Sequence, residues 1–195
     1  MDLISVTRFL YYFSILLWIF PAIRQFQGRF FYFFLILGIH DPVYTLFNEL
    51  WDFSLPLVYT VSLHYLLIPS LSSWKDILNN KYLLILPLIV FVVLSFFFND
   101  FRVYFTILII IHSIIFFKVF IFFLKQNVYE SSINIFYVAL LFYELTNILK
   151  VSNIMVGIDN AIANFILTSL FQILFGIYFS LFKDDHPKNF IKINP

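Results

Sequence analysis

The chain contains no cysteine. That removes disulfides, thiolate metal sites and haem attachment through cysteine, and it leaves no marker of the redox compartment. Glycine is nearly as scarce, at 4 of 195 residues. So few glycines exclude a phosphate-cradling glycine loop and leave no glycine elbow of the kind that presents a catalytic serine. Charge is the third shortage: Asp, Glu, Lys and Arg make up 12% of the sequence, against roughly 25% in a soluble domain. A chain so poor in charge cannot build the solvated surface that a soluble core needs. The net charge of +1 offers no basic footprint, so no nucleic-acid partner is expected.

What is present is apolar: 62% of the residues are hydrophobic and 23% aromatic. Lipid is the natural solvent for such a sequence. At about 20 residues per spanning helix, the length leaves room for roughly seven spans. The expectation is therefore an all-α polytopic integral membrane bundle of seven transmembrane helices, forming one domain over residues 1–195 in a plasma or inner membrane. The apolar runs place the spans at about 3–23, 30–47, 53–71, 82–98, 101–124, 133–149 and 161–182. The first run exceeds the apolar core of a signal peptide, carries Asp2 and Arg8 in its opening turns and precedes no small-x-small cleavage site, so it is expected to be retained. Arg24, Arg29, Lys75, Lys81, Lys125, Lys183, Lys188 and Lys192 fall on one side of that arrangement. Their excess puts the N-terminus outside and the C-terminus in the cytoplasm.

Within lipid the informative residues are those that do not belong there. His40 and Asp41 fall near the middle of the second span, His64 of the third, His112 of the fifth and Glu144 of the sixth. An ionisable side chain at the centre of a membrane helix costs several kcal/mol, on the order of +2.5–3.5 on insertion scales, unless it meets a partner or water. These groups share a depth and are expected to point inward. Lys118 lies nearer the cytoplasmic end, where its stem can snorkel to the interface.

Helical spacing extends this set. Asn160, Asn164, Thr168 and Gln172 recur every fourth residue in the seventh span, and Asp52, Pro56, Thr60 and His64 do so around the third. Tyr137, Glu144 and Asn147 share a face of the sixth. The hydroxyl and amide positions also suit the hydrogen bonds that glue membrane helices together. The matching stripes suggest a 3+1+3 parallel repeat with the apolar fourth span as connector. Parallel repeats of this kind occur in transporters, the SWEET sugar carriers among them. The likeness is to topology alone, since Pro21 is followed by Ala22 rather than that family's Gln and the fifth and sixth spans lack prolines.

The leading functional expectation is a proton-coupled carrier of a small polar solute or ion. Its ligand or ion site would use His40, Asp41, His64, His112, Glu144, Asn147, Asn164, Thr168 and Gln172, with Pro42 freeing a backbone carbonyl beside Asp41. Buried carboxylates and imidazoles are the groups that can be tuned to titrate near neutral pH. An accessory subunit of a larger membrane complex, or a homo-oligomer, would instead turn the polar faces toward other chains. A seven-helix sensor would need a partner chain for output, and it is not a retinal pigment because residues 161–182 contain no lysine. A haem or metal protein would draw on His40, His64, His112 and Glu144, although no H-E-x-x-H or paired E-x-x-H motif is present. The cofactor is left open. An enzyme is disfavoured, with an intramembrane hydrolase built on Asp41, His40 and His64 as the remaining option.

Overall fold

In a computed structural model, residues 3–52, 57–72, 100–157 and 161–192 are described, together with Ile85, Ile89 and Val93. The elements are α1 (Leu3–Leu17), α2 (Ile19–Arg24), α3 (Phe31–Trp51), α4 (Leu57–Ser70), α5 (Phe101–Glu130), β1 (Ser132–Asn134), α6 (Ile135–Val156), α7 (Ala161–Leu181), a short 3-10 turn (Pro187–Asn189) and β2 (Phe190–Lys192). α1 and α2 form one rod interrupted at Trp18, so the described helices make six rods. Each rod packs on its neighbours in sequence, and α7 packs back on α1 and α2, which closes a ring around a common interior.

The expectation of seven membrane spans is not met. Among the described residues three helices are long and apolar enough to cross a bilayer: Val6–Arg24, Phe101–Glu130 and Ile135–Val156. α4 has 14 residues, about 21 Å of helix against a hydrocarbon core of about 30 Å. α3 has the length, at 21 residues, but His40, Asp41, Pro42 and Asn48 dilute its apolar character. α7 has 21 residues, and among the described residues its apolar part covers Ile166–Leu181. The expected span 82–98 falls outside the described residues except for Ile85, Ile89 and Val93, which are helical and about half exposed. The assignment of the N-terminus to the outside and the C-terminus to the cytoplasm rested on the alternation of seven spans, and it falls with them. So does the 3+1+3 repeat: Asp52 ends α3 in the left-handed region at φ 47 rather than opening the next helix, and Asn160 and Pro56 lie outside the described residues.

What the structure does give is a mostly helical protein with several long apolar helices, consistent with a membrane protein embedded in lipid. Large apolar side chains such as Leu16, Ile23, Phe117 and Leu174 lie on the outer faces, where lipid and not water satisfies them. The interior is aromatic. Trp18, at the break between α1 and α2, turns inward to meet Phe34, Tyr143 and Phe179 at ring-centroid distances of 6.3, 4.6 and 6.3 Å. Gly38 of α3 permits this crossing, because a Cβ there would sit 2.8 Å from the Trp18 carbonyl oxygen.

Polar side chains close one end of the ring. Arg24 and Gln25 donate to the Leu181 and Phe182 carbonyls at 3.2 and 2.8 Å, and Lys118 donates to the Ile68 carbonyl and the Ser72 hydroxyl at 3.0 and 2.8 Å. These carbonyls end α7 and α4, where no intrahelical donor remains. β1 and β2 pair antiparallel, with Ile133 opposite Ile191, and tie the residues after α7 to the start of α6. Many hydroxyls bond their own helix: Ser14, Ser70, Ser113, Thr146 and Ser180 each donate to a carbonyl three or four residues back, while Thr106 donates both to its own helix and to Met155 Sδ of α6.

Candidate functional site

Four helices each bring an ionisable residue from mid-helix to the interior. On α3, His40 Nδ1 and Asp41 Oδ1 are 2.8 Å apart. The His40 ring meets the His64 ring of α4 edge to face at a centroid distance of 4.7 Å, and His64 meets His112 of α5 in the same way at 5.2 Å. His112 Nδ1 lies 2.7 Å from Glu144 Oε2 on α6. The result is an unbroken sequence, Asp41, His40, His64, His112, Glu144, with a carboxylate at each end and three imidazoles between.

The hydrogen bonds fix the chemistry of each ring. His64 Nδ1 is 2.8 Å from the Thr60 carbonyl oxygen. A carbonyl only accepts, so Nδ1 carries the hydrogen and the neutral ring presents Nε2 as a base. A carboxylate oxygen that accepts from Nδ1 gives His40 and His112 the same tautomer. The three rings meet one another by edge-to-face contact, with no hydrogen bond between them. Exposure is graded along the sequence: the side chains of Asp41 and His40 are 49% and 13% exposed, those of His112 and Glu144 3% and 0%. Access is therefore from the Asp41 end.

A cavity of about 180 Å³ runs beside these groups. Of the expected site residues it is lined by His40, Asp41, His64, His112, Asn147 and Gln172, while Glu144 lies behind His112. Three buried polar atoms at this place have no hydrogen-bond partner: His40 Nε2, Glu144 Oε1 and Asn147 Nδ2. Asn164 and Thr168 are not brought in. The Thr168 hydroxyl donates 2.9 Å to the Asn164 carbonyl on its own helix, and neither residue lines the cavity.

Among the lining residues that sequence reasoning missed are Trp18, Tyr143 and Lys150. Lys150 belongs to an outer loop if the sixth span ends at 149, but α6 continues to Val156. The signal was there: Tyr143, Asn147, Lys150, Val151 and Ile154 follow helical spacing and all line the cavity. Lys150 attracts the Asp41 carboxylate across it.

Metal-binding histidines are commonly anchored through their second nitrogen to a carboxylate or carbonyl, as these three rings are. Yet among the described residues no three His, Asp or Glu side chains are arranged to hold a metal ion. The groups form a line, not a coordination shell. No family model, curated protein or solved structure matches the chain.

Proposed function

We propose that the chain is a proton-coupled carrier of a small polar solute or ion, with the proton moving along His40, His64 and His112 between Asp41 and Glu144. The supporting observation is the continuity of those five groups beside one cavity. A carboxylate as buried as Glu144 is strongly disfavoured as a lone charge. One resident proton, shared between Glu144 and His112, makes the pair neutral. Transfer to His64 and then His40 carries that proton toward the more exposed Asp41, and the reverse sequence reloads the buried end. Each step uses an imidazole, whose two ring nitrogens let it take a proton on one side and give one up on the other.

The inward orientation of the ionisable groups favours this reading over an accessory subunit, whose polar faces would turn toward other chains. The sensor reading rested on seven spans and falls with that count. The test is reconstitution of the purified chain in liposomes with an imposed pH gradient. Wild type dissipates the gradient, and Asp41→Asn and Glu144→Gln each slow dissipation at least about tenfold, a loss of roughly 1.4 kcal/mol or more in barrier terms. Dissipation equal to that of empty liposomes contradicts the proposal.

A further inference from the structure

The cavity also carries information about its ligand. Lys150 and Asn147 are three residues apart on α6, so their side chains share a face, and both line the cavity. Asn147 is 8% exposed, and its buried Nδ2 faces the Tyr143 hydroxyl without completing a hydrogen bond to it. Gln172 of α7 adds an amide, and the indole of Trp18 is already committed to the Gln172 backbone carbonyl at 3.2 Å. An ammonium beside an unsatisfied amide donor is a set of groups for an anion.

The difficulty for an anion is Asp41, which attracts the same Lys150 from across the cavity. The structure also supplies the resolution. His40 lies 2.8 Å from Asp41 through Nδ1, and its Nε2 is buried without a partner. A proton added at Nε2 makes an imidazolium that pairs with Asp41 on α3 itself. Asp41 is then neutralised on α3, and the Lys150 charge is available to a ligand.

We infer that the cavity takes a small monovalent anion on Lys150 and Asn147, bound together with one proton on His40. This rests on the carrier reading and names its substrate class. The charges balance at each stage. Before binding, the Asp41 and Lys150 charges face each other across the cavity and balance; afterwards protonated His40 balances Asp41, and Lys150 balances the anion. Anion and proton therefore enter together as a neutral pair, so the liposome assays of proton movement are run with sodium L-lactate on both faces of the membrane. The other titratable groups facing the site are Tyr11 of α1, Tyr59 and His64 of α4, His112 of α5, and Tyr143 and Glu144 of α6. α7 contributes Gln172 and, among the described lining residues, no titratable side chain.

The experiment uses the full chain in detergent with sodium formate and sodium L-lactate as probes, sodium gluconate as the ionic-strength control, and methylammonium gluconate as the cation probe. Thermal unfolding reports binding, and the pH of a weakly buffered sample reports proton uptake. Formate or lactate is expected to raise the unfolding midpoint with uptake of about one proton per bound anion, as linkage requires. Lys150→Met weakens anion binding about tenfold or more, on the scale of removing one partner of a buried charge pair, and Lys150→Arg retains it. His40→Gln removes the proton uptake. The midpoint without ligand shows whether each variant folds. Stabilisation by methylammonium in place of the anions, no response to either anion, or a response unchanged in a folded Lys150→Met overturns the inference. Anion binding with proton uptake but no proton flux in liposomes would sink the carrier reading alone, and flux without any anion response would sink the anion site alone.

Discussion

His112 Nδ1 sits 2.7 Å from Glu144 Oε2, with the two side chains 3% and 0% exposed. This bond joins α5 to α6 in the interior, and Glu144 is also the deepest acidic group of the candidate site. Its two roles separate by substitution. Glu144→Gln keeps an oxygen for the His112 N–H and is expected to lower stability by less than about 1 kcal/mol, whereas Glu144→Ala leaves that donor unpaired and costs about 1–3 kcal/mol for the lost partner. Thermal unfolding in detergent compares them. Both variants lose proton movement.

The crossing of α2 over α3 depends on the absence of a side chain at one place. A Cβ on Gly38 would meet the Trp18 carbonyl oxygen at 2.8 Å, and the backbone on that side has no flexible end to yield. Gly38→Ala should cost about 1–3 kcal/mol through forced separation of the helices. Because the same shift displaces Trp18 from Tyr143, near-ultraviolet circular dichroism should change with it. Full retention of stability and signal would mean that the rods slide apart without loss.

Asn134 links three pieces of chain. Its Oδ1 accepts from the Phe136 N–H at the start of α6, and its Nδ2 donates to the Asp184 carbonyl and to Gln126 Oε1 at 2.9 and 3.2 Å. Asn134→Ala removes an N-cap worth about 0.5–2 kcal/mol and unties the segment after α7. Amide exchange over residues 183–192 should accelerate while that of α5 stays slow.

Asp184, beyond the end of α7, is held above the usual carboxylate range by burial first and by the neighbouring Asp185 second, with Arg29 opposing both. An acid raised in the folded state contributes stability that is complete below its ordinary pKa and is lost as pH rises through the folded value. Asp184→Asn is therefore expected to be more stable than wild type at pH 7, with the difference closing as pH falls toward 4. Unfolding midpoints across that range check the sign.

The ionisable groups were legible in the sequence because a few charges in an apolar chain have only each other to face, and helical centring set them at one depth. Their order was not legible, since it depends on which helices are neighbours. Lys150 was lost to a helix end misplaced by several residues: hydropathy falls at Lys150, but the helix continues on its inward face to Val156. The span count failed for a related reason. Runs of Phe, Leu and Ile look alike whether the helix has 14 residues, as α4 does, or 30, as α5 does. The β1–β2 pairing joins residues far apart in sequence, and no local pattern announces it. Asn164 and Thr168 fit the right stripe, but a hydroxyl can bond its own helix backbone as well as a neighbour.

The central claim is that a proton passes through His64, the ring between His40 at 4.7 Å and His112 at 5.2 Å. His64→Phe keeps an aromatic ring of similar shape and removes both nitrogens. The most direct measurement is the rate of pH-gradient dissipation in liposomes holding equal amounts of folded wild type and His64→Phe. A fall to the rate of empty liposomes is the predicted result; a rate equal to wild type would contradict the relay.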